Sequence, residues 1–106
     1  MTVGKEIILA ENENVSLRWL TTPGHTADSC SLFLTGKIEF NGRRDLKSLA
    51  LVGDLWDFEN DDELWRDMSA DHATQICSRN FVGQTVAPDC VVPGHGPPFF
   101  PPFKQY

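Results

Sequence analysis

His25, Asp54 and His95 are the side chains of this sequence whose types and settings suit metal chemistry, because each stands directly behind a glycine that ends an apolar run. The three tracts run from Leu17 to Thr22-Pro23-Gly24-His25, from Leu49 through Val52 to Gly53-Asp54, and from Cys90 through Val92 to Pro93-Gly94-His95. Neutral imidazole and carboxylate are donors that zinc, iron and manganese accept. Behind Pro-Gly, a histidine leaves a strand end with its approach set by the proline and its backbone freed by the glycine. One such histidine is commonly structural, but three strand-end donors in a small chain predict a metal site in which Asp54 is also the candidate catalytic group. A turn or capping role for Asp54 is the competing reading. Thr26, Asp28 and Ser29 follow His25 closely enough to orient its second ring nitrogen, or to form an Asx or Ser turn with no metal role. His72 is expected to face solvent on a polar helical stretch.

Strands must deliver these residues to one rim. Glu6 to Ala10 and Val15 to Leu20 read as a hairpin, with Val15, Leu17 and Trp19 alternating onto one face. Ser31 to Leu34 and Lys37 to Phe40 read as two further short strands, and Asn41-Gly42 as a type I′ turn. Leu49 to Val52 is apolar enough to predict a strand buried on both faces. Asn60 or Asp61 then caps a short helix with Leu64, Trp65 and Met68 as its buried stripe. Ser69 is expected to cap a second helix whose apolar side runs through Ala73, Ile76, Cys77, Asn80 and Phe81. Gly83 and Pro88 end it, and a strand from Cys90 to Val92 follows. The tail from Gly96 to Phe103 is too rich in proline for helix or central strand, and either lines a pocket beside His95 or covers a sheet edge. The tryptophans and most phenylalanines are assigned to packing. The expected fold class is α/β, a mixed sheet with helices on one outer face.

Length and charge set the outer bounds. A chain of 106 residues is one small domain, and 41% hydrophobic with 23% charged residues is an ordinary globular composition. The net charge of -6 is concentrated between Asp57 and Asp71, where a solvated helix face is expected and a generic phosphate-binding surface is disfavoured. Arg43, Arg44 and Lys47 form a small basic patch, read as an exposed loop. No apolar stretch near the N-terminus approaches the length of a signal core or membrane span. Cys30, Cys77 and Cys90 are odd in number and contain no Cys-x-x-Cys pair, which suits small core residues in a reducing compartment, cytoplasmic or nuclear.

The ordered set Thr22-Pro23-Gly24-His25-Thr26, Gly53-Asp54 and Val92-Pro93-Gly94-His95-Gly96 resembles the metallo-β-lactamase fold superfamily. Val52-Gly53-Asp54-Leu55, Ser78-Arg79 and the run from Val91 to Phe99 are similar to one branch of it. The resemblance implies that residues 1–106 form a partial domain, the C-terminal half of a four-layer αββα sandwich. It implies a zinc-dependent hydrolase in which His25 binds one metal, His95 a second, and Asp54 bridges them. RNA is the substrate suggested by the branch, and iron is the alternative metal in relatives of other chemistry. The superfamily's first ligand motif, His-x-His-x-Asp-His, does not occur in this sequence. At most one metal is therefore expected on this half alone, and a noncatalytic truncated paralogue or isoform is the competing class. A half sandwich also leaves an apolar sheet face uncovered, which predicts a homo-oligomer or a partner chain there.

Overall fold

The computed structural model describes residues 2–40, 42–56, 59 and 69–106. Five strands lie in sequence order across one sheet: β1 (Glu6–Glu11), β2 (Ser16–Thr21), β3 (Cys30–Phe40), β4 (Arg43–Gly53) and β5 (Val91–Pro93). The first four are antiparallel neighbours, whereas β5 runs parallel to β4 and so needs a crossover. Helix α1 (His72–Asn80) lies in that crossover and continues as a π-helical segment, Phe81–Val86. The sheet is therefore mixed and the fold α/β, as expected. The helix predicted from Asn60 or Asp61 with Leu64, Trp65 and Met68, the residue Asn41 of the predicted turn, and the aromatic pair Phe58 and Trp65 lie outside the described residues.

Several element boundaries move. The two short strands predicted at Ser31 to Leu34 and Lys37 to Phe40 are one strand, β3, irregular between Thr35 and Ile38. Gly36 absorbs the irregularity with φ 147, and a Cβ there would come within 2.8 Å of the Asn14 carbonyl oxygen. The strand at Leu49 to Val52 is longer than predicted and is not buried on both faces: Ala50 and Val52 are 1% and 2% exposed, but Leu51 is 39% exposed. Period-two alternation with one face covered accounts for this.

The covered face carries Phe33, Ala50 and Val91 in register across three strands. Ala50, Val52 and Val91 pack with Leu55, Trp56, Val82 and Phe99 in the main core. The proline-rich tail closes that core. Phe99 pairs with Val91 through two backbone hydrogen bonds of 2.9 Å, its ring meets Trp56 edge-on at 5.5 Å, and Tyr106 accepts from Trp56 Nε1 at 3.0 Å. Of the two roles open to the tail, it takes that of covering the β5 edge. The other face presents Ile7, Trp19, Leu32, Leu51 and Val92 in one row across all five strands. A smaller cluster of Leu46, Leu49 and Cys90 fills one end of it, while Ile7 stays 44% exposed.

Helix α1 departs most from its predicted form. Asp71, not Ser69, is the cap: its carboxylate accepts from the Thr74 backbone N–H at 3.0 Å and the Thr74 hydroxyl at 2.7 Å. The Ala70 and Asp71 N–H groups are already engaged by His25 O and Gly24 O, which holds Asp71 extended and delays the helix. Ser69 instead donates to the Gln75 side chain. The buried positions are Gln75, Ser78 and Arg79, whereas Ala73 and Cys77 are exposed and Ile76 half-buried. Cys30 is likewise exposed, so of the three cysteines only Cys90 is the core residue expected. His72 is half-buried, and its Nδ1 is shielded from solvent with no acceptor among the described residues.

Candidate metal centre

Three strand ends meet at the predicted site. β2 runs out through Thr21 into Thr22-Pro23-Gly24-His25, β4 into Gly53-Asp54, and β5 into Pro93-Gly94-His95. Each glycine there has a definite steric reason. Gly24 has φ 141, and a Cβ on it would fall 2.3 Å from Gln75 Cα, so no side chain fits between this loop and helix α1. Gly53 turns left-handed at φ 56, releasing the chain from β4 and aiming Asp54 back over the rim. Gly94 serves close approach: its N–H donates to Gly53 O at 2.8 Å, and a Cβ would meet the Gly53 carbonyl at 3.2 Å.

Two of the three side chains, the imidazoles, converge on the carboxylate of the third. His25 Nε2 lies 3.4 Å from Asp54 Oδ2, and His95 Nε2 lies 3.0 Å from Asp54 Oδ1. Each imidazole thus addresses a different oxygen of Asp54. Their side chains are 19%, 35% and 65% exposed for His25, Asp54 and His95, so the rim opens to solvent on the His95 side.

The donor set has the right chemistry for a borderline divalent metal, and each imidazole with its own oxygen of Asp54 makes one candidate half-site. Among the described residues each half-site consists of one imidazole and one carboxylate oxygen. No group of three or more His, Cys, Asp or Glu side chains that could hold a metal ion occurs among the described residues. Where a metal is held, His25 with Asp54 Oδ2 and His95 with Asp54 Oδ1 are the residues that would hold it, with further ligands required.

Thr26, Asp28 and Ser29 form a tight turn behind His25. The Thr26 hydroxyl donates to Asp28 Oδ1 at 2.9 Å and lies 2.7 Å from Ser29 Oγ, which accepts from Thr26 N–H at 3.0 Å. Sequence reasoning did not single out Gln75 and Arg79 as parts of the site. Both donate to Leu55 O, the carbonyl next after Asp54, at 3.1 and 2.7 Å. The signal was present as polar residues spaced on one side of a helix, but the apolar spacing placed the inner side through Ala73, Ile76, Cys77, Asn80 and Phe81 instead.

This fold, with two imidazoles and a carboxylate on strand-end loops along one rim, is the class defined by the metallo-β-lactamase sandwich. The chain is 35% identical over 83 residues to metallo-β-lactamase domain-containing protein 1 of Xenopus laevis, an alignment that takes in 78% of this chain and 32% of that one. It is 37% identical over 79 residues to the proteins of the same name from Homo sapiens and Rattus norvegicus, covering 74% of this chain and 26% and 28% of theirs. The chain is a partial homologue of these metallo-β-lactamase domain-containing proteins, and its aligned part spans between a quarter and a third of the curated relatives' length. No family profile matches it.

Proposed function

We propose that this chain supplies one side of a two-metal hydrolytic centre, with zinc as the metal and a phosphodiester of RNA as the substrate class. The observation that carries this reading is the split of Asp54 between two imidazoles, one oxygen to each, which is what a bridging carboxylate requires. In their neutral form His25 and His95 offer Nε2 lone pairs as ligands, and Asp54 fixes the distance between the two half-sites through its own O–C–O span. A metal pair bound there would lower the pKa of a water and polarise the phosphoryl oxygen under attack. The chain's own contribution is rigidity. Gly94 N–H on Gly53 O locks the His95 and Asp54 loops together, so the two ligands cannot drift apart without breaking a backbone hydrogen bond.

Metal analysis of the purified chain after loading with zinc tests this. Bound zinc is expected, with loss of it in His25→Ala, His95→Ala and Asp54→Asn. Stoichiometric iron in its place would move the reading to the iron-dependent relatives, and no bound metal in the parent chain would end it. Cleavage of a labelled RNA is expected only where the missing ligands are supplied, by the zinc-loaded chain together with a segment carrying a His-x-His-x-Asp-His motif, and is expected to be lost there in Asp54→Asn.

The apolar row on the open sheet face favours a second reading, an interaction module that pairs with another copy of itself. Ile7, Trp19, Leu32, Leu51 and Val92 carry no charge, so two copies of a chain with net charge -6 can meet there without opposing like charges. Light scattering after gel filtration is expected to show a dimer, and Leu51→Lys a monomer with an unchanged far-UV spectrum. A monomeric parent chain would end this reading, and a stable complex with a different protein would transfer the face to that partner.

A further inference from the structure

Helix α1 buries a polar stripe and leaves Ala73 and Cys77 of its apolar side exposed. Gln75, Ser78 and Arg79 are 1%, 0% and 2% exposed, at spacings of three and four that align them on one stripe. Burying such groups, a guanidinium above all, is unfavourable unless each is paired by hydrogen bonds. Each of the three donates to a backbone carbonyl of one of the two loops that carry His25 and Asp54. The Ser78 hydroxyl donates to Pro23 O at 2.6 Å, two residues before His25. Gln75 Nε2 and Arg79 Nε converge on Leu55 O, one residue after Asp54. The helix start adds Ala70 N–H to His25 O at 3.0 Å and Asp71 N–H to Gly24 O at 2.9 Å.

The sheet explains why these two loops need such help. β4 and β5 are neighbours, so the Asp54 and His95 loops are tied directly through Gly94 and Gly53. β2 and β4 are separated by β3, a gap of about 10 Å at ordinary strand spacing. No ladder hydrogen bond can set His25 against Asp54 across that gap. We propose that the polar stripe of α1 is a clamp that does so, with Gln75, Ser78 and Arg79 acting as positioning residues through the Pro23 and Leu55 carbonyls. The tail braces the clamp from behind: Asn80 and Tyr106 exchange hydrogen bonds of 3.0 and 2.8 Å, and the Arg79 guanidinium sits 5.0 Å from the Tyr106 ring centre. The purpose of the clamp rests on the metal-centre reading, but its existence does not.

The test uses the metal-free chain first. Ser78→Ala, Gln75→Leu and Arg79→Met are expected to shift the ring-nitrogen resonances of His25 and to speed amide exchange at Ala70 and Asp71 at least tenfold. Exchange in the β2–β3 ladder and at Gly94 is expected to stay as in the parent. Arg79→Lys, which keeps a donor for Leu55 O, is expected to restore the parent His25 signals. Cobalt(II) titration of the same variants then reads a loss of affinity of about 10–100-fold, the range of a lost orienting contact. Folded variants with parent His25 signals and parent exchange would overturn the clamp, as would a uniform rise in exchange across the whole sheet. Should Arg79→Met fail to fold, Ser78→Ala and Arg79→Lys decide the matter. A parent chain that binds no cobalt(II) while the loop signals respond as described would leave the clamp standing and remove the metal-centre reading instead.

Discussion

The two faces of the sheet bury different things by different means. On the covered face Ala50, Val52 and Val91 are at most 2% exposed, sealed by Trp56, Val82, Phe99 and the tail. On the other, Leu51 sits between Ala50 and Val52 in the same strand and is 39% exposed. The helix over the covered face then inverts the expectation again, turning Gln75, Ser78 and Arg79 inward and leaving Ala73 and Cys77 outside. The difference teaches that in this chain the apolar pattern marks where surface is available for burial, whereas the polar pattern marks where the His25 and Asp54 loops are held.

Trp56→Ala against Leu51→Ala breaks or sharpens that contrast most strongly. Removing the indole, which is 1% exposed, is expected to cost about 3–5 kcal/mol by urea denaturation. Leu51→Ala is expected to cost less than about 1 kcal/mol. Equal losses would mean that the open face is packed after all.

Gly24→Ala compared with Gly42→Ala comes next, because both glycines have positive φ, 141 and 80, but only Gly24 has a neighbour in the way. Strain plus the clash with the Gln75 backbone predicts a loss of about 2 kcal/mol or more at Gly24, and about 1 kcal/mol at Gly42 from backbone conformation alone. The His25 ring signals are expected to move only in the first. Thiol labelling tests the exposed side of α1, through Cys77, more gently. Cys77 and Cys30 are expected to react with a disulfide reagent in the folded chain, and Cys90 only on unfolding. Burial raises the Cys90 thiol pKa, with the Arg43 charge opposing weakly, so at neutral pH Cys90 carries less thiolate than a free cysteine as well as less access.

The smallest effect belongs to the cap. Hydrogen bonds from the Thr74 backbone N–H and hydroxyl hold the Asp71 carboxyl below its usual pKa. The folded value is lower than the unfolded one, so this stabilisation is fully present above the unfolded pKa and is lost as pH falls through the folded value. A melt series from neutral to strongly acidic pH is expected to show Asp71→Ala slightly less stable than the parent at neutral pH, with the two curves converging in acid. A constant gap throughout would assign the loss to something other than the ionised cap.

The strand ends that bring His25, Asp54 and His95 together are legible in the sequence. Pro23-Gly24-His25, Gly53-Asp54 and Pro93-Gly94-His95 announce strand ends that change direction abruptly, and such punctuation is local chemistry readable from adjacent residues. The hairpin of β1 and β2 was legible for the same reason, through the alternation of Leu17 and Trp19 and the polar turn at residues 11–14. The Asp71 cap, by contrast, depended on Gly24 O and His25 O engaging the preceding amides, a contact that Ser69 and Asp71 do not encode between them. The burial of Arg79 lay still further out of reach, since it follows from Leu55 O, Trp56 and Tyr106 meeting at one place.

By itself the sequence determined the donor types, their order along the chain and the strand-turn units that carry them, because those follow from short-range backbone preference and side-chain chemistry. Only the tertiary structure decided that each imidazole takes its own oxygen of Asp54, and that a polar helix stripe bridges two strand ends with a third strand between them. Those are relations between segments far apart in the chain, set by how sheet, helix and tail pack, and no local pattern contains them.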